Sequence, residues 1–223
     1  MPDEQHVPGS RKARAADTRR RLLEVAVRLF TERPYDDVSV AEISREAGAA
    51  HGLLFHHFDS KRGIYLAALE ELAARNRSSR TNDLSSPGAD GLRRLLDAHF
   101  GAIAANPQAF LKLMTAGLGT DPEAQEIFER DRWEAITAVS RHLNLDNGSP
   151  AVKIALRGAI GGIDHAVLTW LDLDKPFPLD RLIDTLVAII AGSITGTTAL
   201  DTSLEISHAL EVLDDATRRK QLR

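Results

Sequence analysis

Cysteine is absent from this chain of 223 residues. Disulfide bonds and cysteine-based zinc sites are thereby excluded, and a reducing, cytoplasmic setting is the expected one. Aromatic residues are scarce, at 5%. No apolar run reaches the ~18 residues of a membrane span. The longest, Leu186 to Ile194, is too short and lies between Asp184 and Asp201, so no membrane association is expected. The polar, basic N-terminus lacks the apolar stretch of a signal peptide. Strand-like alternation is missing as well, which leaves an all-α fold. Enzyme signatures are equally scarce: there is no nucleophile elbow, no phosphate-binding glycine loop, no His-Glu-x-x-His and no thiol nucleophile. Gly158, Gly161 and Gly162 follow no strand and so form no dinucleotide fingerprint. No catalytic residue, metal or cofactor is expected.

The formal net charge is -4, which taken as a sum argues weakly against a nucleic-acid partner. The distribution matters more. Arg11, Lys12, Arg14, Arg19, Arg20 and Arg21 crowd one stretch, opposed nearby only by Asp17 and Glu24. Such a run is either a solvated tail or a contact to phosphate. Residues 1–16 are expected to form a disordered basic arm.

A helix is expected from Asp17 or Thr18, with Leu22, Val25, Ala26, Leu29 and Phe30 on one face, ending at Pro34. Ser39 and Glu42 then form an S-x-x-E capping box, flanked by Val38 and Ile43 as a hydrophobic staple. The short helix that follows stops at Gly48. A third apolar segment spans Leu53 to Phe58. Asp59-Ser60 offers the next N-cap, for a helix carrying Ile64, Ala68 and Leu72. Residues 81–91 read as a loop. Leu92, Leu95, Leu96, His99, Phe100 and Ile103 form the next stripe. Asn106-Pro107, Asp121-Pro122 and Ser149-Pro150 each look like a cap followed by a first helical position. About nine to ten helices are expected in all. The last segment, 201–223, carries Ile206, Leu210 and Leu213 at helical spacing.

The helices 150–171 and 178–200 are apolar almost all round, so each must be covered on two sides. Either both are deeply buried in a monomer, or one side meets a second subunit. Ala188, Gly192 and Gly196 fall on one face, and repeated helix glycines usually serve close packing. Under the homodimer reading, Arg157, Ile160, Gly161, Leu168, Leu186, Ile190 and Ile194 are the interface candidates.

Three short helices with a tight turn, Gly48-Ala49-Ala50, describe a helix-turn-helix unit whose second helix can enter a major groove. The stretch SVAEISREAGAAHGLLFHHFDSKRGIYLAAL resembles the TetR family signature, and the likeness covers about residues 17–70. The resemblance implies a DNA-binding domain at 17–63 and a helical ligand-binding and dimerisation domain at 64–223. Its partners would be a palindromic operator in double-stranded DNA, a small-molecule effector and a second copy of the chain. By position it implies that Ser39 and Lys61 touch phosphate, that Ala50, His51, Gly52 and Leu53 reach base edges, and that His56 touches the backbone. The family usually has hydroxyl residues where this chain has Ala50, Leu53 and Phe55. Binding should therefore lean on Arg14, Arg19, Arg20, the rest of the arm, Lys61 and Arg62. Gly63 replaces a common glutamate. Phe55 is by position a DNA-contact candidate as well, though it, Phe58, Leu54 and Ile43 are expected in the core and His57 packed. A zinc site at His51, His56 and His57 is disfavoured for want of a fourth ligand.

The effector cavity implied by the family would be walled by His99, Ile103, Phe110, Met114, Trp133, Ile136, Asp164, His165 and Trp170, with His99 and His165 as polar contacts. Such walls suit a hydrophobic or amphipathic effector that releases a repressor from DNA. A constitutive DNA binder, an activator and, less favoured, a helical enzyme stand as alternatives.

Overall fold

A computed structural model describes residues 8–81 and 87–218. Among these there is no strand. The helices are α1 (Pro8–Glu32), α2 (Val40–Glu46), α3 (His51–Phe58), α4 (Lys61–Thr81) and α5 (Ala89–Ala105). They continue with α6 (Pro107–Leu118), α7 (Pro122–Leu143), α8 (Pro150–Asp172), α9 (Leu179–Gly196), a 3-10 turn (Thr197–Ala199) and α10 (Ser207–Arg218). The chain divides into two compact units: Met1–Ala73 with Lys112–Ile127, and Ala74–Leu111 with Phe128–Arg223. The division does not fall at residue 63, because α4 runs on without a break. Residues 8–16 are helical, so the expected arm is shortened. Pro8 suits a first helical position, and the run of Arg, Lys and Ala after it favours helix. Residues 1–7 of that arm lie outside the described residues.

In the first unit, Leu22, Ala26, Leu29 and Phe30 of α1 are buried, as are Val38, Ile43, Leu54, Phe58, Ile64 and Ala68. Helices α1, α2 and α3 pack mutually. The capping box is complete. Ser39 Oγ accepts from the Glu42 amide at 3.1 Å, and the Glu42 carboxylate accepts from the Ser39 amide. Gly48 takes a φ of +58°, where a side chain would strain the turn. Ser60 Oγ caps α4 by accepting from the Gly63 amide at 2.9 Å. A Cβ at Gly63 would lie 1.9 Å from the Phe58 carbonyl oxygen. That collision explains why glycine, not a longer residue, stands here.

The three proline-led starts hold. Asn106, Asp121 and Ser149 each accept a backbone amide in the first turn of α6, α7 and α8. In the second unit, α9 packs on α5, α8 and α10, and α10 also packs on α5. The segment Leu179–Ala199 is long and apolar enough to cross a membrane by length and composition alone, contrary to the expectation that no stretch is. One side of it is buried in the unit.

That burial corrects three interface candidates. Leu186, Ile190 and Ile194 are buried within the second unit, where α5, α8 and α10 all pack on α9. The outward side of α9 carries Ala188, Gly192 and Thr195. On α8, Leu156, Ile163 and Val167 face inward, while Ile154, Gly158, Gly162, His165 and Thr169 are exposed. Ile160 and Leu168 are half-buried. Gly161 looks toward Arg132 Nη2, 3.5 Å from where a Cβ would sit. Arg157 pairs with Glu129 at 2.6 Å.

A polar cluster sits inside the second unit. Arg80, with its side chain only 4% exposed, binds Asp131 at 2.5 Å. Arg80 also donates to the Asp131 carbonyl at 3.2 Å, and Asn76 donates to the Asp131 carboxylate at 2.7 Å. Removing one member strands the other's charge, whereas replacing both by apolar residues need not. Arg80→Leu should cost roughly 3–5 kcal/mol in urea unfolding. The Arg80→Leu/Asp131→Leu pair should recover much of that loss.

Candidate nucleic-acid interface and effector site

Helix α3 turns two faces in opposite directions. Leu54 and Phe58, four residues apart, are buried. His51, Gly52, Leu53, Phe55 and His56 point to solvent. Phe55 is thus not a core residue: it is 42% exposed, and Leu53 is 38% exposed. His51 and Phe55, also four apart, meet edge to face at 5.4 Å. Ala50 stands at the N-cap without a side-chain hydrogen bond, so the hydroxyl missing at this position leaves α3 uncapped by a side chain. The exposed set therefore forms one continuous face, as a probe of a groove requires. His57 is half-buried. Burial, then the charges of His56 and Arg19, hold its pKa below the ordinary histidine value.

The basic residues around α3 fall into two groups. Arg20 binds Asp17 at 2.5 Å and Glu24 at 2.8 Å. Arg21 binds Asp17 at 3.2 Å and donates to the Ala47 carbonyl at 2.7 Å. Arg28 pairs with Glu32 and Glu46, and Arg33 with Glu42 at 2.8 Å. Arg62 forks onto Asp121 at 2.8 and 3.1 Å and reaches Glu123 at 2.9 Å. Arg20 and Arg62, expected to offer charge to DNA, are thus paired with carboxylates in the free protein. Those arginines in turn hold the Asp17 and Asp121 carboxyls below the usual carboxylate range, chiefly through their hydrogen bonds. Lys61 and Arg19 form the second group. Lys61 Nζ lies 4.2 Å from the Tyr35 ring centre and Arg19 Cζ lies 4.9 Å from that of Phe58. Arg14 is exposed, and Ser39 is exposed with its hydroxyl engaged by the α2 cap.

Among the expected effector contacts, Ile103, Phe110, Met114, Ile136 and Trp170 are buried. Met114 belongs to the segment grouped with the first unit. Trp133 and His165 are misplaced by the sequence reading. Trp133 is 42% exposed with Arg157 over its ring, and the exposed His165 contacts the Gly161 carbonyl through Nδ1 at 2.9 Å. Helix phase turns both away from the interior. Asp164 lies 2.6 Å from Arg132, yet desolvation raises its pKa to about 6. Trp170 donates to the Phe177 carbonyl at 2.9 Å and lines an open cleft of about 490 Å³ with Ala104, Lys175, Pro176, Phe177, Pro178 and Leu179.

His99 is the polar interior residue that sequence reasoning located. Its Nδ1 lies 3.4 Å from Ser79 Oγ. The Ser79 hydroxyl donates its one hydrogen to the Asn76 carbonyl at 2.6 Å. In the tautomer with its proton on Nδ1, the ring donates to Ser79 Oγ and keeps Nε2 as an acceptor. Desolvation, with the nearby Arg80 charge, lowers the His99 pKa to about 3. The Ser79 and Arg80 contacts were missed, since neither residue stands out from its polar stretch.

Residues 22–68 match the family model described as bacterial regulatory proteins, tetR family. Residues 89–192 match the tetracyclin repressor-like C-terminal domain. The chain belongs to the TetR family of transcriptional regulators. It is 25% identical over 207 residues to the HTH-type transcriptional regulator EthR of Mycolicibacterium smegmatis, covering 87% of this chain and 95% of that protein. The crystal structure of a TetR-family regulator from Streptomyces coelicolor superposes with a TM-score of 0.76 at 24% identity, covering 93% and 94% of the two chains. FadR of Bacillus subtilis, solved in complex with stearoyl-CoA, superposes at 0.55 with 18% identity, covering 83% of this chain and 98% of that one.

Because the unfolded His99 binds a proton below about 6.5 and the folded one only near 3, stability falls as pH drops through that window. Asp164 acts oppositely: folded, it takes up a proton near pH 6, so its share rises on acidification toward its ordinary value of 3.8. His99→Gln should therefore flatten the loss of thermal stability between about pH 6.5 and 4. Asp164→Asn should steepen that loss. Calorimetry across the range checks both signs.

Proposed function

We propose that this regulator is a homodimeric, cytoplasmic repressor that an effector releases from a palindromic operator. The carrying observation is the single exposed face of α3, His51 through His56, standing on buried Leu54 and Phe58. Two such helices related by a two-fold axis would enter major grooves about one helical turn apart. His51, Gly52 and Leu53 read bases in this proposal, and Lys61, Arg19, Arg14, His56 and Ser39 sit toward the backbone. The outward small residues of α8 and α9, Gly158, Gly162, Ala188 and Gly192, let a partner's helices approach closely. The effector is apolar or amphipathic and carries a hydrogen-bond donor for His99 Nε2. It shifts the dimer only by its different affinity for the two states, typically ~1–3 kcal/mol of coupling.

Selection from random duplex DNA should return a palindrome. Lys61→Ala should weaken binding to all sequences and lower the slope of log K against log salt by about 0.9. His51→Ala should change the preferred bases instead, and an unchanged preference rules out this placement of α3. Gly162→Arg should yield a folded monomer by sedimentation, with operator affinity lost.

A further inference from the structure

We infer that two aromatic rings, Tyr35 and Phe58, act as positioning residues that hold Lys61 and Arg19 as uncompensated cations for DNA phosphates, an inference that rests on the DNA-binding role proposed above. The charged groups of the first unit suggest why rings are used. Arg20, Arg21, Arg28, Arg33 and Arg62 are held by carboxylates. A carboxylate fixes a guanidinium but cancels its charge, so little remains to displace counterions from DNA. An aromatic face attracts a cation through its quadrupole and leaves the net charge intact. Lys61 over Tyr35 and Arg19 over Phe58 have this arrangement, and no carboxylate pairs with either among the described residues. The cation-ring contacts of the second unit differ. There Arg132 also binds Asp164, Arg157 also binds Glu129, and Lys175 also donates to the Ala104 carbonyl.

The geometry around Tyr35 is fixed. Its ring stacks on Phe30 at 5.9 Å and 14°, and meets Tyr65 edge-on at 4.9 Å. Tyr65 in turn meets Phe30 at 5.1 Å. Tyr65 lies one helical turn after Lys61 on α4, so the same aromatic cluster seats the helix start and its ammonium. Phe58 is the last residue of α3 and is buried. Arg19 therefore stands at the C-terminal end of α3, whose partial negative charge favours it, whereas Lys61 opens α4, so the Tyr35 ring holds it against that helix's positive end. A lysine held in this way retains its N–H donors for phosphate and has less rotamer freedom to lose on binding.

The test uses the full chain and a labelled random-sequence duplex, since the phosphate contribution does not depend on sequence. Affinity is measured against salt for the wild type, Lys61→Ala, Tyr35→Leu, Tyr35→Phe and the Tyr35→Leu/Lys61→Ala pair. Tyr35→Leu is expected to weaken binding roughly two- to fivefold, to lower the salt slope toward that of Lys61→Ala, and to add nothing in the Lys61→Ala background. Tyr35→Phe, which keeps the ring, should restore the slope. Successively fluorinated phenylalanines at position 35 remove the negative face at nearly constant volume, so affinity should fall stepwise. That series decides the matter even if Tyr35→Leu fails to fold. A flat fluorination series, or a Tyr35→Leu loss that adds fully to that of Lys61→Ala, overturns the positioning role. An unchanged slope in Lys61→Ala overturns the phosphate role of Lys61 itself, and the inference with it.

Discussion

Helix α3 has eight residues, well below the ~12–15 at which an isolated helix becomes even marginal in water. Its existence depends on burying Leu54 and Phe58 beside Leu22, Ala26, Phe30 and Ile43. Everything the protein can do on DNA follows from that burial. It fixes which residues are left outside: His51, Gly52, Leu53, Phe55 and His56. In the uniformly apolar stretch GLLF only Leu54 finds the interior, and Leu53 and Phe55 remain in water.

Electrostatics is arranged around the same element. The first unit carries many basic side chains, and several are paired with carboxylates: Arg28 and Arg33 tie to α2 residues, and Arg62 ties the start of α4 to the Asp121 turn. These exposed pairs contribute modestly to stability. Their larger effect is selective: Lys61 and Arg19, which rings and not carboxylates hold, keep their charge. A net charge of -4 is thus compatible with a DNA-binding surface.

The legible parts of the fold were local. Ser39, Glu42 and Gly48 mark α2 because caps act within a turn, and the three residue-proline pairs mark helix starts for the same reason. The TetR-like signature likewise lies within a short continuous stretch. What sequence could not reveal was long-range. Arg80 and Asp131 are 51 residues apart in the chain, and nothing local says that they meet. Leu186, Ile190 and Ile194 read as an apolar stripe, but periodicity does not say whether α10 or a second subunit covers it. Trp133 and His165 were misassigned because residue type suggested a pocket while helix phase turned them outward. His99 was found because a lone histidine breaks an apolar stripe.

The junction between α3 and α4 has a mechanical consequence. With the Phe58 carbonyl occupying the space above Gly63, Asp59 at a φ of +63° and Ser60 bonded to the next turn, the link contains almost no slack. A rotation of the first turns of α4 would be passed to the reading helix as a rigid lever passes motion to its tip, and not absorbed by a bending connector. Under the dimeric role proposed above, small displacements should then suffice to misalign a two-site grip on a duplex.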